Sequence, residues 1–302
     1  MSSRPEILVV AAIPPEIEQR LAADFTLVKA RPKVGETLPH SVMVTTSMAG
    51  ADRALMESLP DLRLIACNGT GLDLIDLQAA GERDILVRNT PDAVTEDTAD
   101  FGIALIYATL RRVAEADRFV RAGRWSRERM TPSRRVSSCH VGIVGLGKIG
   151  KALARRAAGL GLDVSYTARS AKAELPYAYY PNAPALAAAV DVLVLCCPGG
   201  PETAGLANRT VLDALGPQGY LINIARGSVV DEPALLAALE ESRIAGAGLD
   251  VFASEPQIDQ RFFALENVVL QPHYASVTHE TRRDMADTLH AAISKQFAAS
   301  SF

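Results

Sequence analysis

The sequence predicts an α/β fold of two Rossmann-like, doubly wound parallel sheets, one flavodoxin-like and one dinucleotide-binding. Three observations carry that prediction. Short apolar runs alternate with helical patterns along the chain, a G-x-G-x-x-G turn separates one such run from a helix, and 302 residues suffice for two cores of ordinary size. A hydrophobic share of 48% with slightly positive mean hydropathy suits a compact enzyme and excludes a disordered or fibrous chain.

Residues 5–13, PEILVVAAI, follow a single basic residue, Arg4, and run into Pro14-Pro15, so they read as a first strand (7–12) and not as a leader. Strand-like runs at 42–46, 64–67 and 86–89 come next, with helical segments such as 15–24 and 52–59 between them. These are the βα repeats of a parallel sheet. One long helical pattern spans 95–122, and a polar arm at 123–138 carries Trp125. A second βα series then has strands at 141–144, 163–167, 192–196, 221–224, 247–250 and 268–270, with a helix at 183–190. From Ser276 the chain is helical and amphipathic, with no sheet beyond it. That helix is expected to return to the first domain, giving a discontinuous substrate-binding domain, 1–98 with 276–302, and a dinucleotide-binding domain, 99–275.

Net charge is −4, from 31 basic and 35 acidic residues, with no basic tract beyond short pieces such as Arg111-Arg112 and Arg134-Arg135. Neither a nucleic acid nor a membrane is an expected partner. Cys67, Cys139, Cys196 and Cys197 lack zinc spacing, and the adjacent pair falls in an apolar run. Reduced core thiols, a cytoplasmic setting and no bound metal are expected.

The densest signal is VGIVGLGKIGKALARRAAGLGLDVSYTARS, residues 141–170. Gly145 lets the chain turn sharply, Gly147 lets backbone approach a pyrophosphate, and Gly150 lets helix pack closely on strand, with free helix-start amides facing the anion. A nicotinamide dinucleotide is the expected ligand. NAD enzymes place an acid about 20 residues beyond these glycines to hold the adenosine ribose hydroxyls. This chain has Thr167-Ala168-Arg169-Ser170 there, and Asp163 lies at the wrong end of the strand. A planar guanidinium and a hydroxyl suit a 2′-phosphate, so NADP, with NADPH preferred and NAD possible, is expected.

Catalytic groups belong at the carboxyl ends of the second set of strands, where open α/β sheets bind ligands. Arg226 follows LINIA, Glu255 follows the strand ending at Asp250, and His273 follows VVLQP. A histidine is a general acid or base near neutrality, a carboxylate bonded to it fixes its tautomer, and an arginine grips a carboxylate. Each also has a plain alternative: a turn arginine, a solvated glutamate, a capping histidine.

Taken in order, GLGKIG, INIARGSVVDE, GLDVFASEP and QPHYAS resemble the D-isomer-specific 2-hydroxyacid dehydrogenase family, as do NGTGLDLIDL (68–77) and NTPDAVTEDTADFGIAL (89–105). The similarity is strongest to its NADP-dependent hydroxyphenylpyruvate, hydroxypyruvate and glyoxylate reductases. The resemblance implies reduction of such a 2-oxo acid to the D-2-hydroxy acid, with Arg226 orienting substrate, Glu255 paired with the imidazole and His273 as acid/base. It implies cofactor contacts from Gly145, Leu146, Gly147, Lys148, Ile149, Gly150, Ala168, Arg169, Ser170, Cys197, Pro198, Thr203, Ile224, Ala225, Asp250 and Ala275. Substrate contacts are implied for Met48, Gly69, Thr70 and Gly71, with backbone amides near Thr70 and Gly71 taking the carboxylate. The helix at 95–122 and the Trp125 arm look like the family's dimerisation element, so a homodimer is expected. Tyr274-Ala275, Pro198-Gly199-Gly200-Pro201 and Ser47-Met48-Ala49-Gly50 depart from the family pattern and bear on the substrate side chain. Two other readings stand beside this one: an NAD-dependent phosphoglycerate-type dehydrogenase, which requires an acid at 168 or 169, and a non-catalytic dinucleotide-sensing protein of the corepressor kind.

Overall fold

The computed structural model describes residues 4–299, so the extreme ends of the first expected domain, 1–3 and 300–302, lie outside the described residues. The chain divides into two compact units: one runs to Val94 and resumes at Val277, and the other is Thr95–Ser276.

The first unit runs β1 (Glu6–Val9), α1 (Pro15–Ala22), β2 (Thr26–Lys29), β3 (Val42–Thr46), α2 (Arg53–Glu57), β4 (Leu64–Asn68), α3 (Leu77–Glu82) and β5 (Leu86–Arg88), with the C-terminal helix His279–Ala299. Its strand order β2-β1-β3-β4-β5, parallel throughout, is the flavodoxin order. Alternation along β4 sends Ile65 and Cys67 into the core shared with Leu55, Met56 and Ala79. The C-terminal helix packs on α1 and β4, and Arg20 Nε donates to Asp287 Oδ1 at 2.7 Å. β2 is an addition to the predicted elements. It is a four-residue edge strand, TLVK, with exposed ends and half-buried centre, too short and too polar to stand out.

The second unit runs α4 (Thr95–Leu110), α5 (Val113–Arg121), β6 (His140–Val144), α6 (Lys148–Gly159), β7 (Asp163–Thr167), β8 (Ala178–Tyr179), α7 (Ala183–Ala187), β9 (Val192–Leu195), α8 (Arg209–Leu215), β10 (Tyr220–Asn223), α9 (Glu232–Glu240), β11 (Gly246–Leu249) and β12 (Val268–Leu270). The sheet order is β12-β11-β10-β9-β6-β7-β8. Counted from β6, this is the dinucleotide-fold order 3-2-1-4-5-6 with one more strand at the far edge. Leu193, Leu195 and Leu221 face a core with residues of α7, α8 and α9, while Val141, Ile143, Val194 and Ile222 face α4 and α6. Every β-run ends on the same edge of this parallel sheet.

The single helix expected over 95–122 is two helices. Arg112 takes a left-handed conformation, φ +52°, and its guanidinium holds both oxygens of Glu115 at 2.5 Å. The apolar period continues across the break, which is why the sequence reads as one helix.

Candidate active site

The glycine turn is built as the fingerprint requires. β6 ends at Val144, Gly145 turns with φ +94°, and its amide donates to Thr167 O at 2.9 Å. A Cβ on Gly145 would lie 2.7 Å from Cys197 N and Cα, and one on Gly150 would lie 2.2 Å from Gly145 O, whereas one on Gly147 would meet nothing within 4 Å. The first and third glycines are close-packed against backbone; the second opens outward at the start of α6. Lys148, Ile149 and Gly150 form the first turn of α6, whose N-cap has no side-chain bond. Leu146 is buried beneath it. The positive end of a helix and an unfilled space at Gly147 fit a dinucleotide pyrophosphate.

At the end of β7, Thr167 is buried and Ala168 half-buried, while Arg169 and Ser170 are exposed. Asp163 is paired with His140 at the opposite end of the strand. Buried Tyr166 accepts at its hydroxyl from the Lys172 amide at 2.6 Å, tying down the loop that carries Arg169. Beyond β9, Thr203 Oγ1 donates to Pro198 O at 2.6 Å and closes the Pro198–Thr203 turn. Burial pushes the Cys197 thiol up to about 11 and raises that of Cys196 as well, so both remain neutral packing groups.

The three catalytic candidates meet at the carboxyl ends of β10, β11 and β12. Arg226 stands after Ile224 and Ala225, in a turn fixed by Asn223. Asn223 Nδ2 donates to Arg226 O and the Ala225 amide donates to Asn223 Oδ1, both at 3.0 Å. Gly227 lets this turn press on the next loop, since a Cβ there would lie 1.9 Å from the Phe252 carbonyl. Asn223 and Gly227 escaped the sequence reading. Their only signal was an asparagine closing an apolar run and a glycine just past the arginine.

Asp250 is buried, and its two oxygens accept from the amides of Tyr274 (2.6 Å) and Ala275 (3.0 Å), while the His273 amide donates to its backbone oxygen at 2.8 Å. Burial raises the pKa of this carboxyl, and the two amides partly offset the rise. Asp250 thus holds the His273 loop, in which His273 itself adopts φ +55°. Glu255 accepts from the Phe252 amide at 2.8 Å through Oε1 and meets His273 Nδ1 at 2.7 Å through Oε2. Burial drives the Glu255 carboxyl upward, but the imidazole, the Phe252 amide and Arg226 outweigh it and hold the pKa below the usual carboxylate value. A carboxylate only accepts, so Nδ1 carries the proton and Nε2 is the ring atom left to exchange one. Tyr274, 50% exposed, sets its ring edge-on to Phe101 with centroids 6.3 Å apart.

Met48, Gly69, Thr70 and Gly71 lie in the first unit, at the carboxyl ends of β3 and β4. Met48 is exposed on the Ser47–Gly50 turn. Gly69 has φ +130°, and a Cβ there would lie 2.4 Å from Ser47 Oγ. Its amide donates to Thr90 Oγ1 at 3.2 Å, and Asn89 Nδ2 donates to Thr70 O at 2.8 Å, so the end of β5 fixes the backbone at 69–70.

Residues 103–275 match the family model of the D-isomer specific 2-hydroxyacid dehydrogenase NAD binding domain. The chain is 47% identical over 256 residues to hydroxyphenylpyruvate reductase of Plectranthus scutellarioides, covering 85% of this chain and 82% of that one. It is 41% identical to glyoxylate/hydroxypyruvate reductase A of Arabidopsis thaliana, with 98% and 96% covered. Among solved structures, NADPH-dependent glyoxylate/hydroxypyruvate reductase from Sinorhizobium meliloti, in complex with NADP and malonate, superposes with a TM-score of 0.91 at 39% identity, over 98% of this chain and 94% of that one.

Proposed function

Because this chain belongs to the D-isomer-specific 2-hydroxyacid dehydrogenase family of NAD(P)-dependent oxidoreductases, we propose that it reduces a small 2-oxo acid to the D-2-hydroxy acid with NADPH. Glyoxylate, hydroxypyruvate and hydroxyphenylpyruvate, on which relatives act by name, define the substrate class. The observation that carries the reading is the His273–Glu255 pair at 2.7 Å, set on the same sheet edge as Arg226 and the glycine turn. When bound, the reduced nicotinamide supplies hydride. His273 Nε2 delivers the proton to the keto oxygen, Glu255 keeps Nδ1 protonated and stabilises the imidazolium, and Arg226 grips the substrate carboxylate. The amides of Thr70 and Gly71 take part in holding that carboxylate, with Met48 and Gly69 nearby in the chain, so the first unit is the substrate-binding one.

NADPH is held by the amides at 145–150 and by Arg169 and Ser170, with Ala168, Cys197, Pro198, Thr203, Ile224, Ala225, Asp250 and Ala275 along the cofactor. No carboxylate of the described residues pairs with Arg169, which leaves it for a phosphate. The expected result is faster reduction of glyoxylate and hydroxypyruvate with NADPH than with NADH, and loss of that preference in Arg169→Ala. A charge-assisted bond of about 1.5–3 kcal/mol corresponds to roughly 10- to 150-fold weaker NADPH binding, with NADH little changed. Titration of cofactor fluorescence measures it; equal loss for both cofactors contradicts the assignment, and absence of any turnover contradicts the reductase reading.

A homodimer completes the proposal. Trp125 is 62% exposed, and Val113 and Val120, one heptad apart on α5, are exposed as well. Three apolar side chains along one helix and its arm fit an interface with a second copy, with Trp as anchor. Sedimentation at micromolar concentration is expected to give twice the chain mass; a monomer contradicts it.

A further inference from the structure

The segment 168–172 leaves β7 without helix or strand of its own, and Arg169, Ser170 and Ala171 at its centre are exposed. Its two ends are nonetheless held by tyrosine hydroxyls. Tyr166, 1% exposed, lies in the core with Ile143 and Leu153, and a phenylalanine ring would fill the same space. Its hydroxyl is spent on one residue of the segment: it accepts from the Lys172 amide at 2.6 Å and donates to the Lys172 carbonyl at 3.5 Å. The same carbonyl accepts from the Leu175 amide at 3.1 Å, which closes the turn beyond. At the other end, Tyr179 on β8 donates its hydroxyl to Ala168 O at 3.5 Å. The two rings pack against each other, centroids 5.5 Å apart and planes inclined at 57°. Thr167 O, one residue earlier, accepts from the Gly145 amide of the glycine turn.

We propose that Tyr166, supported by Tyr179, is a positioning residue for cofactor choice: the two hydroxyls pin the ends of the 168–172 segment, so that Arg169 and Ser170 meet a 2′-phosphate in a backbone already shaped for it. The inference rests on the NADPH reading and deepens it. An exposed segment that had to be ordered by the ligand would charge that ordering against affinity, and a segment fixed beforehand does not. NADH has no 2′-phosphate and makes no use of the segment's shape, so the gain belongs to NADPH alone. Neither tyrosine touches the cofactor in this account. Tyr166 acts from beneath the strand end, through the backbone of Lys172, and Tyr179 acts through the backbone of Ala168.

Fluorescence titration of NADPH and NADH against the whole chain reads the effect as two Kd values, without turnover. Tyr166→Phe is expected to raise the Kd of NADPH about three- to tenfold, the worth of one hydrogen bond, and to leave that of NADH within about twofold. Tyr179→Phe, on the surface and with the longer bond, is expected to raise the NADPH value by about twofold or more with NADH unchanged, and it carries the test if Tyr166→Phe does not fold. A background of Arg169→Ala with Ser170→Ala separates positioning from general stability. There the groups being positioned are gone, and adding Tyr166→Phe is expected to change the NADPH Kd by less than about twofold. Equal weakening of both cofactors, an unchanged NADPH Kd, or an effect of Tyr166→Phe that persists in full in that background overturns the proposal. If Arg169→Ala is selective for NADPH while neither tyrosine variant is, positioning alone falls; if Arg169→Ala weakens both cofactors alike, the NADPH reading falls and takes the positioning role with it.

Discussion

His273→Gln is expected to lower kcat for 2-oxo acid reduction by about 10²- to 10⁴-fold, the usual worth of a positioned general acid. Glutamine can still donate a hydrogen bond to a keto oxygen but cannot surrender a proton to it. The loss should fall on kcat, while the Kd of NADPH stays near wild type, because the groups proposed to hold the cofactor, the turn at 145–150 and Arg169, are untouched. The imidazole is held from two sides, by Glu255 through Nδ1 and by Asp250 through the His273 amide. Its position therefore does not depend on substrate, and the variant reports on proton transfer. A kcat within tenfold of wild type for a good 2-oxo acid contradicts the role and turns attention to other histidines. His279 begins the C-terminal helix of the first unit, and His290 is bonded to Asp24 at 2.7 Å, so neither shares the sheet edge with Arg226.

Arg226→Ala should differ in kind. Removing a two-bond grip on a carboxylate, each bond worth about 1.5–3 kcal/mol, is expected to cost roughly 10²- to 10⁴-fold in kcat/KM. Much of it should appear as a raised KM, because the carboxylate is held in ground and transition states alike. Arg226→Lys keeps the charge but not the planar fork and should fall between. The backbone of the turn survives either change, since Asn223 bonds to the carbonyl of residue 226 and not to its side chain. Steady-state kinetics with glyoxylate decide the point: an unchanged KM removes Arg226 from the carboxylate.

Much of this was legible in the sequence. Each strand of the second sheet that leads to a candidate residue is a compact apolar run, so the loop just beyond it marks the sheet edge, and Arg226, Glu255 and His273 lie in such loops. The glycine turn was legible because its flanking strands and helix were. What escaped depends on loops meeting in space. Nothing local says that Asp250 accepts from the amides of residues 274 and 275, that Gly227 presses on Phe252, or that Asn223 clasps the arginine turn. The break between α4 and α5 hid because apolar spacing runs through it, and the edge strand β2 hid because four half-exposed residues carry little pattern.

The central claim is that a proton held at His273 is given up in reduction and taken in oxidation. Reduction then needs the imidazolium, oxidation the neutral ring, and the two directions must respond to pH with opposite sign. Glu255 does not blur the test, since its pKa lies below the usual carboxylate value and it stays ionised across the neutral and alkaline range. Replacing it with Gln removes a charge that favours the imidazolium and should move the alkaline loss of reductase activity to lower pH. The direct measurement is kcat/KM against pH for reduction of a 2-oxo acid and oxidation of its D-2-hydroxy acid by the same enzyme. Reduction falling and oxidation rising toward alkaline pH, both shifted to lower pH in Glu255→Gln, is the predicted result; two profiles of the same sign, or no shift in the variant, contradict it.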